Sequence, residues 1–354
     1  MKPSRAAAVM LTALGVIAAS PGTAGADDRD RSGRGDASVT TVAEGLSGPR
    51  QLNEYRGQRF VVAESDSGGI SAIDVRTGTV TTLLDGLFSP QGVDYDDGLL
   101  FVAVGAPAPV PGAPQPGPGQ DSMALLIAKP NGEVLKKIDL LAYEKANNPD
   151  GQDPDAPDAQ SNPFSVLAQD RRVLVADAAA NAVLAVDRRT GKVSTFFVPP
   201  LVSPGEVEGC AGRQANPGTV GCDPVPTGVV EGRDGLLYVS TLGAEVPGAA
   251  RIYVLNQRGH VVRVIEDLTS ATGVAVGRDG TIYVSEITEG QIVRIDRRGN
   301  RTYSPIPTPV GVLVEDGRLY STADSAGFPG PVPGAVVRVG AGTFGPTPAP
   351  APAP

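Results

Sequence analysis

Histidine occurs once, cysteine twice, methionine three times and tryptophan not at all in these 354 residues. The single histidine, His260 in "QRGHV", sits in a turn-like stretch with no Ser-His-Asp set around it. Two thiols and one distant histidine are too few for a thiolate metal site. Basic residues are outnumbered, 30 Lys and Arg against 39 Asp and Glu, for a net charge of -9. No run of basic residues occurs, so a phosphate backbone finds no obvious partner and no nucleic acid is expected. A phosphate-cradling Gly-rich loop is missing as well.

Long apolar runs are missing past the first residues, so nothing in the mature chain could span a bilayer. The one exception is "AAAVMLTALGVIAA" (6–19), preceded by Lys2 and Arg5 and followed by Ala24-Gly25-Ala26. A basic start, a short apolar run and an A-x-A site describe a secretory signal peptide over 1–26, cleaved after Ala26. A secreted, extracellular protein is the expectation. Residues 27–37 read as a polar disordered linker and 341–354 as a Pro-rich disordered tail. Outside the cytosol, Cys210 and Cys222 should form a disulfide closing a Gly/Pro-rich loop. That closure is worth on the order of 3 kcal/mol if unstrained.

Glycine and proline are abundant, 45 and 33, and Val, Ile and Thr fill the runs between them. This favours many short strands joined by tight turns. One phrase recurs, Gly-x-(Leu/Ile)-(Tyr/Phe)-Val-(Ala/Ser). It stands as "GLLFVA" (98–103), "GLLYVS" (235–240) and "GTIYVS" (280–285), with looser copies "QRFVVA" (58–63), "RRVLVA" (171–176) and "GRLYST" (317–322). A segment such as "SPQGVDY" (89–95) or "VPTGVVE" (225–231) precedes each copy, and two further strand-like runs follow it, as in "GISAIDVRTGTVTTL" (69–83). Four strands per repeat, apolar on both faces, at a period of about 40 to 45 residues, fit a β-propeller. Six copies predict an all-β six-bladed propeller over 38–340. The sixth unit lacks its fourth strand, and "SVTTVAE" (38–44) has no partner at the start. Residues 38–44 should therefore pair with 334–340 and close the ring, abolishing exposed edges.

Every insertion falls between the second and third strands of a blade or between blades, hence on one face. They include 105–121, 144–160, 199–224, 242–249 and 324–334. Loops held by rigid strands carry function, so this face is the expected working surface. One ring of mouth residues opens the first strands: Arg50, Gln91, Phe164, Thr227, Thr272 and Val310. The first five are the candidate ligand-binding set. A second ring closes the second strands and places acids on blades one, three and five, Glu64, Asp177 and Glu286. These three could share a cation such as Ca2+. The simpler reading is that each accepts backbone N–H bonds from its own loop. The acidic loop bearing Asp150, Asp153, Asp155 and Asp158 lacks the ordered spacing of an EF-hand.

The order "GLSGPRQL", "LFSPQGVDY", a Pro-rich insert, "NNPDGQDPDAPDAQSNPFSV", "VLVADAAANAVLAVD" and "VPTGVVEGRDGLLYVSTL" resembles the ScyD/ScyE family of exported propeller proteins, over roughly 38–340. The blade phrases are shared with NHL-type propellers generally. The resemblance implies the fold and export and brings no catalytic residues with it. Two functions follow. One is a monomeric binding scaffold, with no cofactor, that takes a small molecule or a protein on the loop-rich face. The other is a lactonase-like hydrolase in which Glu64, Asp177 and Glu286 hold a divalent metal that polarises a carbonyl and activates water.

Overall fold

The computed structural model describes residues 36–106, 122–151, 160–213, 219–325 and 333–348. The signal-peptide segment, most of the Pro-rich insert, and Asp153, Asp155 and Asp158 lie outside the described residues.

Strand β1 (Val39–Leu46) comes first. Blade one is β2 (Pro49–Tyr55), β3 (Arg59–Glu64), β4 (Gly69–Asp74) and β5 (Val80–Leu84). Blade two is β6 (Pro90–Asp96), β7 (Leu99–Val104), β8 (Ala124–Ala128) and β9 (Val134–Asp139). Blade three is β10 (Pro163–Ala168), β11 (Arg172–Asp177), β12 (Ala182–Asp187) and β13 (Val193–Phe197). Blade four is β14 (Pro226–Glu231), β15 (Leu237–Thr241), β16 (Ala250–Leu255) and β17 (Val261–Leu268). Blade five is β18 (Ala271–Val276), β19 (Ile282–Glu286), β20 (Gln291–Ile295) and β21 (Arg301–Pro305). Blade six is β22 (Val312–Glu315), β23 (Arg318–Ala323) and β24 (Gly334–Val339), with β1 as its outer strand. Six antiparallel four-stranded sheets thus form a six-bladed β-propeller.

Side-chain chemistry tracks the position of a strand in its blade. In blade one, β3 is buried at every residue but Arg59, whereas β5 is exposed over Val80–Thr82. In blade four, all six residues of β16 are buried and the next strand begins with three exposed ones. Second and third strands lie between neighbouring blades and see no water on either face. Fourth strands face solvent and tolerate Thr, Lys and Arg. The burial resolves into six apolar clusters, each shared by two adjacent blades. Aromatic pairs bridge junctions: Tyr55 meets Tyr95 and Phe60 meets Tyr320, each edge-on with centroids 4.7 Å apart.

The ring closes as the sequence requires. β1 runs antiparallel to β24, from Val39 opposite Val339 to Leu46 opposite Gly334. Leu46 and Ala43 enter the same cluster as Phe60 and Val62 of blade one, so the seam is packed like any other junction. Contacts continue on both sides of this seam. Asp36 holds Arg338 at 3.0 Å, and Gly345 makes a paired bridge with Tyr303. Phe344 lies against Tyr283, so the segment after Gly340 docks on blade five before the Pro-rich tail starts.

Two connections depart from simple loops. Residues Leu140–Asn147 form a helix, α1, between blades two and three. Asp139 caps it, accepting from Ala142 N–H at 2.8 Å, and Asn148 ends it with φ 37°. The link between blades three and four carries the Cys210–Cys222 disulfide and its own small core of Val202, Val246 and Ala249. Arg251 of β16 anchors that link through Glu206 at 2.9 Å. Hydrogen bonds from the backbone and hydroxyl of Ser203, then Arg251, pull Glu206 down to about 2. No helix among the described residues is long and apolar enough to cross a membrane.

Candidate functional site

At the loop-bearing face each connection from an outer strand must turn sharply inward to begin the next innermost strand. The residue just before that strand is left-handed in four blades, Gly48, Ser89, Val225 and Ser270, and in blade six Thr308 is left-handed four residues ahead of β22. Gly48 adopts this freely, while a branched residue such as Val225 at φ 53° costs on the order of 1–2 kcal/mol. The turn aims backbone N–H groups at the end of the second strand, where the acids sit.

Those acids are spoken for. Glu64 accepts from Ser47 N–H at 2.8 Å and Ser71 Oγ at 2.5 Å. Asp177 accepts from Ser161 Oγ at 2.5 Å, Asn162 N–H at 2.6 Å and Ala180 N–H at 3.3 Å. Glu286 accepts from Thr269 N–H and Gln291 Nε2, both at 2.7 Å. Each carboxylate therefore fastens the incoming loop to its own blade. Burial pushes Asp177 up to about 6 and raises Glu286, against the pull of these hydrogen bonds. Among the described residues no three His, Cys, Asp or Glu side chains come together in a group fit to hold a metal ion. Glu64, Asp177 and Glu286 do not come together as a cation cage.

The first ring is also turned to structural work. Thr227 Oγ1 donates to Ala271 O of the next blade at 2.8 Å, and Thr272 Oγ1 donates to Pro309 O at 3.1 Å. Ser285 Oγ reinforces that junction, donating to Val310 O at 2.7 Å. Gln91 is buried and gives its amide to Ser89 Oγ at 2.7 Å. Phe164 is half-buried beside the axis. Arg50 lies half-buried at the mouth, its Nε donating to Ser65 Oγ at 3.0 Å. Burial lowers its pKa, with the Asp66 carboxylate opposing.

Sequence reasoning missed the residue that governs the channel. Gln51 reaches from blade one to blade three, accepting from Val166 N–H at 2.9 Å and donating to Val166 O at 2.8 Å. The amide mimics one rung of a β-ladder across the axis. Blade two yields the space: a Cβ on Gly92 would fall 2.6 Å from Gln51 Oε1 and 2.7 Å from Ser165 Cα. The axial cavity at this level, bordered by Phe164, Thr227, Thr272 and Val310, is only about 30 Å3. That is room on the scale of a water molecule.

The opposite face, with the tight turns, is hollow. An axial funnel of about 350 Å3 opens there, lined by the ends of the innermost strands. Its acids are Glu54, Asp94, Asp96, Glu231 and Glu315, with Arg233 and Arg278 beside them. Burial, then the hydrogen bond and like charge of Glu315, push Glu54 up to about 7. Burial pushes Asp94 up to about 6, although it accepts from Tyr95 and Ala168 N–H groups. His260 sits in a tight turn on this face, its N–H bonded to Asn256 Oδ1 at 3.1 Å.

Comparison with known proteins returns the fold. No family model matches the chain, and no curated protein matches it. Solved structures do. The gluconolactonase XC5397 from Xanthomonas campestris superposes with a TM-score of 0.54 at 13% identity, over 85% of this chain and 89% of its own. Virginiamycin B lyase from Staphylococcus aureus gives 0.52 at 13% identity, over 85% and 98%. The PQQ-bound aldose sugar dehydrogenase from Streptomyces coelicolor gives 0.54 at 13% identity, over 86% and 99%. At these identities the likeness is one of fold, shared by proteins of different chemistry.

Proposed function

We propose that this protein is an exported, non-catalytic binding scaffold of the ScyD/ScyE type, which engages a protein partner through its loop-bearing face as a monomer. The supporting observation is the Gln51 bridge. Among the described residues the axial cavity holds only about 30 Å3, too little for a small substrate, which favours binding on the surface of this face. The folded link around Cys210–Cys222, held to blade four by Arg251 and Glu206, gives that surface rigid relief. Export rests on the 1–26 pattern and agrees with the disulfide. The enzymes among the structural neighbours argue for a hydrolase only through their shared fold, and here the three mouth acids bind their own loops.

The test is metal stoichiometry. Mature protein equilibrated with Ca2+ and dialysed is expected to retain less than one ion per chain by elemental analysis, and Glu64→Gln should not change this. One retained ion that Glu64→Gln or Glu286→Gln removes would overturn the scaffold reading in favour of metal-assisted hydrolysis.

A further inference from the structure

The wedge between blades four and five, on the tight-turn face, is a groove of about 660 Å3. Its size lies within the range of small-ligand sites. Six arginines line it: Arg233, Arg263, Arg278, Arg297, Arg298 and Arg301. They are a fifth of the 30 Lys and Arg in a chain whose net charge is -9. Two acids share the lining, and both are engaged by their own turns. Asp234 accepts from Tyr238 Oη at 2.8 Å and Leu236 N–H at 3.1 Å. Asp296 accepts from Arg298 N–H at 2.8 Å, Asn300 N–H at 2.9 Å and Asn300 Nδ2 at 2.8 Å, which holds it below the usual carboxylate range.

Ion pairs account for two of the six arginines. Arg278 lies 3.5 Å from Asp316, and Arg301 lies 3.6 Å from Asp267 and donates to the carbonyls of Glu266 and Asp267. Arg233, Arg263, Arg297 and Arg298 form no salt bridge among the described residues. Val264, Ile265 and Val276, half-buried, supply an apolar floor beneath them. The corresponding wedge between blades six and one is of similar size, about 610 Å3, but mixed in charge. There Arg59, Arg76, Arg318 and Arg338 face Glu54, Glu315 and Asp316. A smaller groove on blade three sets Arg171, Arg172 and Lys192 against Asp187, so among these three grooves the excess of cations is greatest between blades four and five.

We infer that the groove between blades four and five is a binding site for a small polyanion, a ligand carrying several phosphate or sulfate groups. Guanidinium groups offer planar, paired donors that match such oxyanions, and they hold their charge at any physiological pH. A concave surface with low-dielectric walls concentrates their field, so a local positive site survives on an acidic protein. The inference stands apart from the loop-face reading, since it concerns the other face and needs no protein partner.

Titration calorimetry on the mature chain at low salt tests it, with tripolyphosphate and sucrose octasulfate as probes. One saturable site per chain is expected, weakening as salt rises. Arg263→Ala with Arg297→Ala should weaken it about tenfold or more, and Arg263→Lys should recover less than the native affinity. Both changes are at exposed positions, and an unchanged circular-dichroism melt would confirm that the fold is intact. Arg59→Ala with Arg318→Ala, in the mixed wedge, should leave binding within about twofold of native, roughly 0.4 kcal/mol. Preference between the probes identifies phosphate or sulfate as the recognised group. Absence of saturable binding, or equal losses in the two paired variants, would overturn the inference.

Discussion

The two faces of this propeller divide length and depth between them. The loop-bearing face has the long connections, a helix and the disulfide, yet Gln51 shuts its axis. The tight-turn face has almost no inserted chain, yet the axial funnel and the basic wedge both open there. Insertion length therefore does not locate a recess. Loops add relief above the blades, while depth at the axis depends on which side chains the innermost strands point inward.

The comparison breaks most severely if the loop-bearing face loses its fastening. Replacing both cysteines, Cys210→Ser with Cys222→Ser, should cost about 3 kcal/mol by the loop-closure estimate. Denaturant unfolding would show it as a lower midpoint. Limited proteolysis should cut first within 203–224, while tripolyphosphate binding on the other face stays unchanged. Native stability and native protease resistance in that variant would mean the small core of Val202, Val246 and Ala249 holds the link unaided.

A somewhat smaller effect probes the plug. Gln51→Ala strips partners from Val166 N–H and Val166 O and leaves a gap beside Gly92. The expected loss is about 2 kcal/mol, the cost of unpaired, poorly solvated backbone groups plus lost packing. Gln51→Met keeps the shape without the amide and should recover only part of it. Faster hydrogen exchange at the Val166 amide would report the opening directly. Stability within a few tenths of a kcal/mol of native would show that the channel closes without this bridge.

Gln51 also marks where sequence reading stops. The six blades, the second strands apolar on both faces and the closure by 38–44 were legible because each repeats a pattern set by neighbours in sequence. The disulfide was legible because two cysteines leave one pairing. Gln51 and Val166 are 115 positions apart, and the repeat gives no hint that one innermost strand reaches past its neighbour. Helix α1 was missed because "LLAYEKAN" is short and follows a strand directly. The basic wedge was invisible for the same reason as the plug. Its arginines come from β17, β21 and three separate turns, and no run in the chain is basic. The repeat pattern puts forward Thr227, Thr272, Glu64, Asp177 and Glu286 as mouth residues. Their hydrogen bonds run to their own loop or the adjoining blade, and that direction is set by side-chain geometry that a repeat pattern leaves open.

The smallest expected effect contrasts the acids of the two faces. At the loop-bearing mouth the carboxylates are met by N–H groups, whereas Glu54 in the funnel faces Glu315, Asp316 and Asp94. A carboxyl raised to about 7 in the folded chain binds its proton more tightly there than in the unfolded chain, where it titrates near 4.5. Between those values the folded state holds more protons, so this group lowers stability as pH rises and the effect levels off above about 7. Below 4.5 the group is protonated in both states and contributes nothing. Because Glu54 is partly open to solvent at the funnel rim, screening trims the effect to about 1 kcal/mol. Asp94, raised to about 6 by burial, adds to the same slope. Glu54→Gln should therefore match the native protein at pH 4 and exceed it at pH 8 in thermal midpoint. If the native and variant midpoints differ equally at both pH values, the funnel acids do not repel one another, and the electrical contrast between the faces reduces to the basic wedge.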